Sequence, residues 1–226
     1  MSHSESLLNY IRKARAAGAE VELVASEDLP ARLASLLHER DTVRTERSLV
    51  ANPKFQASQT GTAVSNDTTP VAAVPASGWP EGLRQVVVSA LEAAGFRIET
   101  PALGADGFSW QLEGLSRAVL GITCCGAFLA ETGSMVIEAG PGRGTLASLL
   151  PEIHLALSYP EDCRDGLGDY LAGLAGALPS RFTLITGPSR TGDIELTMTT
   201  GAHGPRRTLH WIISPELAGS APCASS

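Results

Sequence analysis

Three turns hold the residues whose types and spacing could do chemistry. In Thr186-Gly187-Pro188-Ser189-Arg190-Thr191-Gly192-Asp193-Ile194-Glu195, hydroxyls, a guanidinium and two carboxylates follow the apolar run Phe182 to Ile185. This pattern predicts a strand, a biased turn and then a helix, with Pro188 in the first helical turn and Ser189 or Thr191 capping free amides. Arg190 adds a planar fork that matches a carboxylate or phosphate. Because α/β proteins place ligand contacts at such strand-to-helix turns, the expected ligand is anionic. Asp193 and Glu195, two apart, do not share a helix face and make no paired acid/base site; one can orient Arg190 while the other caps amides.

The second turn, Ala130-Glu131-Thr132-Gly133, puts a carboxylate at an element end. Glu131 could serve as base, nucleophile or hydrogen-bond acceptor, or simply hold backbone amides and shape the turn at Gly133. In the third, Ala139-Gly140-Pro141-Gly142-Arg143-Gly144-Thr145, glycines can expose amides beside a bidentate Arg143, or merely allow a tight turn. It has neither the Lys-Ser/Thr ending of a nucleotide P-loop nor a Gly-x-Gly-x-x-Gly fingerprint. His203, between Gly201 and Gly204-Pro205, is the best proton-transfer candidate by chemistry, and His154 stays a candidate because it begins an apolar strand. His3, His38 and His210 have no comparable local pattern.

No His-x-x-x-His run or close His/Cys/Asp cluster defines a metal site, and Ser189 lacks the Gly-x-Ser-x-Gly elbow. Cys124, Cys125, Cys163 and Cys223 have neither zinc-finger nor iron–sulfur spacing, so the chain is expected to hold no cofactor of its own. Cys124 and Cys125 read as small buried hydrophobes.

The elements that must position these turns alternate. A helix to about Ala17, a strand Glu20 to Ala25 and an amphipathic helix with Leu29, Leu33, Leu36 and Leu37 come first. Residues 40–80, with Pro53, Pro70, Pro75 and Pro80, read as an irregular excursion with one short strand near Val71 to Val74. Further strands are expected at Phe96 to Glu99, Ala118 to Ile122, Ser134 to Glu138, Ile153 to Leu157, Phe182 to Ile185 and Thr208 to Ile213. Helices are expected at about Glu81 to Ala94, over a short stretch of Gly140 to Leu150, from about Pro160 to Ala177 and after Ser189. Such alternation argues for an α/β fold with a mostly parallel sheet in three layers, helices on both faces. The organisation expected is an N-terminal helical and irregular portion, 1–80, packed on an 81–215 core, with a flexible 216–226 tail.

At 226 residues one large domain can bury its core without metal or disulfide staples. Charged residues are only 18% and aromatics 5%, so Ala and Leu must fill most of that core. A net charge of −7, with no basic stripe interleaved with aromatics, argues against nucleic acid. No basic segment precedes an apolar one at the N-terminus and no apolar run approaches a membrane span, which suggests a cytoplasmic protein.

Ala130-Glu131-Thr132-Gly133, Leu149-Leu150-Pro151 with His154, Gly187 to Thr191, Asp193-Ile194-Glu195 and Gly201 followed by His203-Gly204-Pro205 together resemble the LUD-domain family, specifically its LutC/YkgG-like lactate-utilisation branch. The matching run covers roughly residues 81–215. The family pattern often has an acidic residue where this chain has Gly126. The resemblance implies a NagB/RpiA/CoA-transferase-like fold, and a cytoplasmic role beside LutA-like and LutB-like partners that carry iron–sulfur clusters and oxidise L-lactate to pyruvate. It leaves room for a homo-oligomer. On this reading Arg143 and Arg190 hold a small anion, Glu131 and His203 arrange its polar end, and Ser189, Thr191, Asp193, Glu195 and His154 complete the site. The alternative is a stand-alone group-transfer or ligase-like enzyme using Glu131 on a CoA ester, sugar phosphate or folate-like acid. A third possibility is an assembly surface with no chemistry.

Overall fold

The computed structural model describes residues 2–36, 69–104, 107–109, 115, 117–174, 176, 178–192, 198–200 and 204–214. Helix α1 (His3–Ala16) opens with a capping box in which Ser2 and Glu5 satisfy each other's backbone amides. It buries Ser6, Tyr10 and Ala14, one residue per turn on a single face. In chain order there follow β1 (Glu20–Ala25), α2 (29–36), β2 (Val71–Ala73), α3 (Leu83–Ala93), β3 (Arg97–Glu99), β4 (Ala102–Gly104), β5 (Gly107–Ser109) and β6 (Ala118–Cys124). Then come β7 (Ala127–Leu129), β8 (Ser134–Ala139), β9 (Ile153–Ser158), β10 (Cys163–Arg164), α4 (Leu167–Gly173), β11 (Arg181–Ile185), β12 (Arg190–Gly192), β13 (Met198–Thr200) and β14 (Arg207–Ser214).

Six strands form one sheet in the order β1-β14-β9-β6-β2-β3, and every pairing in it is parallel. The first and last strands lie side by side, and a bidentate Arg207–Glu20 pair ties their amino ends. Both β1 and β2, which fall outside the 81–215 core of the sequence reading, are members of this sheet.

Alternation along the strands divides the interior. On one face Leu155 and Leu157 of β9 and Leu209, Trp211 and Ile213 of β14 pack with Leu29, Leu33 and Leu36 of α2 and Leu83, Val87 and Leu91 of α3. On the other, Ala156 and Ile212 meet Tyr10 and Ala14 of α1 and Phe128, Met135 and Ile137 of a second sheet. Each fully buried Leu or Ile contributes roughly 1.5–3 kcal/mol of transfer free energy, so these two clusters dominate stability.

The second sheet corrects the expectation that β8 and β11 join the parallel sheet. Its order is β10-β7-β8-β11, with β8 antiparallel to both neighbours. Only Ala130 to Gly133 separate β7 from β8, far too few for a parallel crossover, so the pair must be a hairpin. Residues 160–177 also depart from a continuous helix: a single 3-10 turn, the short β10 and the seven-residue α4 replace it. The helix expected after Ser189 is absent at its start, where Arg190–Gly192 pairs antiparallel with Met198–Thr200. Pro188 therefore opens no helix there, and Ser189 and Thr191 cap none. The short helix expected before Leu150 is a 3-10 turn, Thr145–Ser148.

Candidate functional site

The parallel sheet has two ends, and the expected site residues divide between them. At the amino end, the β8–β11 ladder brings two of the motif turns together. Ile185 pairs with Met135, so Thr186 falls opposite Ser134, and their hydroxyls lie 2.5 Å apart. Thr132 extends this chain by donating to Ser134 Oγ at 2.8 Å. Both turns press on the end of α1. Gly133, with φ +74°, leaves no room for a side chain, since an added Cβ would sit 2.5 Å from the Ala14 amide nitrogen. Gly187, with φ +84°, abuts the Ala17 carbonyl, and the Arg190 guanidinium lies over Gly18.

Glu131 is exposed in this turn, its amide donating to the Asp165 carbonyl and its carbonyl accepting from Lys13 Nζ. Ser189 donates its amide to the Pro205 carbonyl at 3.0 Å, and Arg190 is exposed. Thr191 has its backbone in β12. Asp193, Glu195 and His203 lie outside the described residues.

Arg143 is elsewhere. Strand β8 runs from the Glu131 turn to the Arg143 turn, and its rise of about 3.3 Å per residue holds those turns on the order of 17 Å apart. One small anion therefore does not touch both Arg143 and Glu131.

At the carboxyl end, the chain passes from β2 outward to β3 and then returns on the other side of β2 as β6. This reversal is a topological switch point, the position at which open parallel sheets bind ligands. A shallow, solvent-open cleft lies there, lined by Pro75, Ser77 and Gly78 after β2, Thr123 and Cys124 at the end of β6, and Glu138 and Arg143. The loop after β2 is clamped to the Arg143 turn: Ala76 and Ser77 amides donate to the Gly142 carbonyl at 2.9 and 3.3 Å, and Ser77 Oγ donates to the Pro141 carbonyl at 2.5 Å.

Within the pocket, Arg143 Nη1 donates to Glu138 Oε2 at 2.8 Å, while Tyr170 donates its hydroxyl to Glu138 Oε1 at 3.0 Å. Burial, and then the bond to Glu138, push the Tyr170 hydroxyl well above the usual phenol range, so it stays a donor. The side chain of Arg143 remains 37% exposed against 16% for Glu138, so the guanidinium is paired on one side and partly solvent-accessible. At Gly126 an added Cβ would overlap the Glu138 carboxylate, which takes that space.

His154 stands behind this pocket. It is fully buried on β9, and its Nε2 lies 2.8 Å from Thr123 Oγ1. Burial lowers its pKa to about 3, so it is neutral at physiological pH. Cys124 is partly exposed in the pocket, whereas Cys125 is buried. Burial raises both thiols above their ordinary range, which keeps them protonated and poor nucleophiles.

A further buried group has no signal in the local sequence. His210 on β14 lies 2.5 Å from the Tyr10 hydroxyl and 2.7 Å from Ser158 Oγ, with Phe128 edge-on at 5.1 Å. Burial, and secondarily His154, lower its pKa to about 3. This neutral network pins α1 to the central sheet.

The profile of the LUD domain matches residues 7–213. The chain belongs to the LUD domain family. Among related LUD proteins, lactate utilization protein C of Halalkalibacterium halodurans is 32% identical over 108 residues, 45% of this chain and 47% of that protein. YkgG of Escherichia coli, an uncharacterised protein, is 34% identical over 119 residues, 50% of each. The aligned part of this LUD chain thus spans about half the length of the relatives it matches. The crystal structure of a DUF162 family protein from Deinococcus radiodurans superposes with a TM-score of 0.57 at 18% identity, covering 95% of this chain and 99% of that one, which supports the α/β fold alone. Among the described residues of this LUD domain, no His, Cys, Asp and Glu side chains group so as to hold a metal ion, and no helix is long and apolar enough to cross a membrane.

Proposed function

We propose that this chain is a LutC-like component of a bacterial lactate-utilisation system, with a NagB/RpiA/CoA-transferase-like fold, acting in the cytoplasm. It binds a small carboxylate of the lactate and pyruvate class. LutA-like and LutB-like partners supply the iron–sulfur clusters that take the electrons when L-lactate becomes pyruvate.

The observation that carries the binding part of this reading is the half-open guanidinium of Arg143 at the switch point. Glu138, itself held by Tyr170, accepts from Nη1, and the partly exposed guanidinium lines the shallow cleft at the sheet's carboxyl end. A carboxylate accepts from two guanidinium N–H groups at once. Family membership and the names of the relatives support the lactate assignment. Glu131 stands at the other end of β8, so this pocket lends no support to glutamate-based acyl chemistry.

Calorimetric titration of the purified chain tests the reading. L-lactate or pyruvate binds the wild type, and Arg143→Ala weakens binding by on the order of 2–3 kcal/mol, the loss expected when a charged hydrogen-bonding partner is removed. An unchanged isotherm in that variant contradicts it. Reconstitution with cluster-bearing partners tests the second half: lactate oxidation then requires both the partners and this chain.

A further inference from the structure

A sheet edge offers unpaired backbone groups to any passing strand, and folded chains blunt their edges with charge, brevity or cover. Among the described residues the two larger sheets have four edges, and three are blunted in this way. Strand β1 carries Glu20 and Glu22, and the Arg15 guanidinium donates to its Val21 carbonyl at 2.7 Å. Strand β3 is three residues long with Arg97 and Glu99 at its ends. Strand β10 has only Cys163 and Arg164, and α1 ties down its end where Ser6 donates to Asp165.

The fourth edge, β11, differs. It runs five residues, ladders with β8 without a register shift, and has no charge, proline or glycine from Phe182 to Ile185. No described strand pairs with its outer side. Alternation puts Phe182 and Leu184, opposite Glu138 and Val136, on the face covered by α4. There Phe182 meets the Tyr170 ring at 5.6 Å, while Leu184 is left 42% exposed. Leu171 of α4 and Leu178, just before the strand, are exposed as well.

The residues of this edge complement themselves. When β11 lies antiparallel to the β11 of a second copy, with a two-fold axis through Thr183, Phe182 of each copy faces Leu184 of the other. Thr183 meets Thr183 and Arg181 meets Ile185, so no like charges oppose. An axis through Phe182 or Leu184 instead sets one of the two apolar side chains against Ser180 or Thr186.

We propose that β11 joins a second copy of this chain edge to edge, forming a two-fold dimer in which the smaller sheets run on into each other. A second copy fits better than an unlike strand because one pairing closes both edges and covers both Leu184 side chains. The strip is small, so dimer and monomer exchange in roughly the micromolar range.

Sedimentation velocity of the full chain across that range tests the dimer. The wild type passes from monomer to dimer, and Leu184→Glu, which sets a carboxylate against Phe182 of the second copy, weakens dimerisation at least about tenfold. Leu8→Glu replaces a leucine that is more exposed still, on α1, and leaves dimerisation unchanged. Hydrogen exchange on the wild type locates the contact without any substitution: amides 181–185 slow as concentration rises, and those of β1 and β3 do not. A wild type that stays monomeric throughout overturns the proposal. So does a dimer that Leu184→Glu leaves intact, equal weakening by Leu8→Glu, or concentration-dependent protection confined to another edge.

Discussion

The two ends of the parallel sheet are built from different kinds of residue. At the amino end, the motif turns around Glu131 and Arg190 are held by hydroxyl-to-hydroxyl bonds and by glycines pressed against α1. At the carboxyl end, Ser77, Thr123, and Glu138 with Arg143 come from three separate segments and leave a shallow cleft between them. Dense local motifs thus accompany close backbone packing, whereas the carboxyl-end cleft is lined by segments far apart in the chain. A run of polar residues with two glycines is as much a packing signature as a binding one.

The sharpest way to break this contrast is at Gly187. Gly187→Ala forces an L-residue into φ +84° and drives its Cβ into the Ala17 carbonyl, so stability falls by about 2–4 kcal/mol. Chemical denaturation reads the loss, while any folded fraction keeps its affinity for the carboxylate. A fully stable variant would show that the amino-end turns are not packing elements.

The seam between the two ends contains His154 and His210, both buried and neutral with pKa values of about 3. Their unfolded-state value is near 6.5, so the unfolded chain binds protons first as the pH falls. Stability is therefore complete above about pH 6.5 and declines through the interval down to about 3. At pH 5 each histidine costs about 2 kcal/mol relative to neutral pH. Denaturant melts from pH 7 to 4 should show this slope, and a flat profile would place water or a counter-charge beside the rings.

Arg190 gives the smallest expected effect. It is exposed at the amino end, so Arg190→Ala changes stability by less than about 0.5 kcal/mol and leaves carboxylate affinity intact. A tenfold loss of affinity would move the binding site to the motif turns.

Much of this architecture is legible from alternation alone. The strands at Ala118 to Ile122, Ile153 to Leu157 and Thr208 to Ile213 are buried almost throughout because the middle of the parallel sheet is covered on both faces, whereas Glu20 to Ala25 at its edge leaves Leu23 exposed. The membership of β8 and β11 is less visible, since strand propensity does not name a partner; the four-residue gap after Leu129 was the available clue. Arg190 begins a strand despite its helix-like start because Thr199 and Thr200, β-branched, pair across to Thr191 and Arg190. Arg143 and His154 were legible as candidates, one from its glycine-rich turn and the other from its strand start. Ser77, Thr123 and Glu138 were not, because no local pattern distinguishes them from ordinary polar residues before the strands are paired.

The most direct test of where this protein binds its ligand is an amide chemical-shift titration of the labelled chain with L-lactate. The perturbed amides should cluster at residues 75–78, 123–124 and 138–144, with 131–133 and 187–190 unmoved. Perturbations confined to 131–133 and 187–190 would contradict the carboxyl-end assignment and return the site to the motif turns.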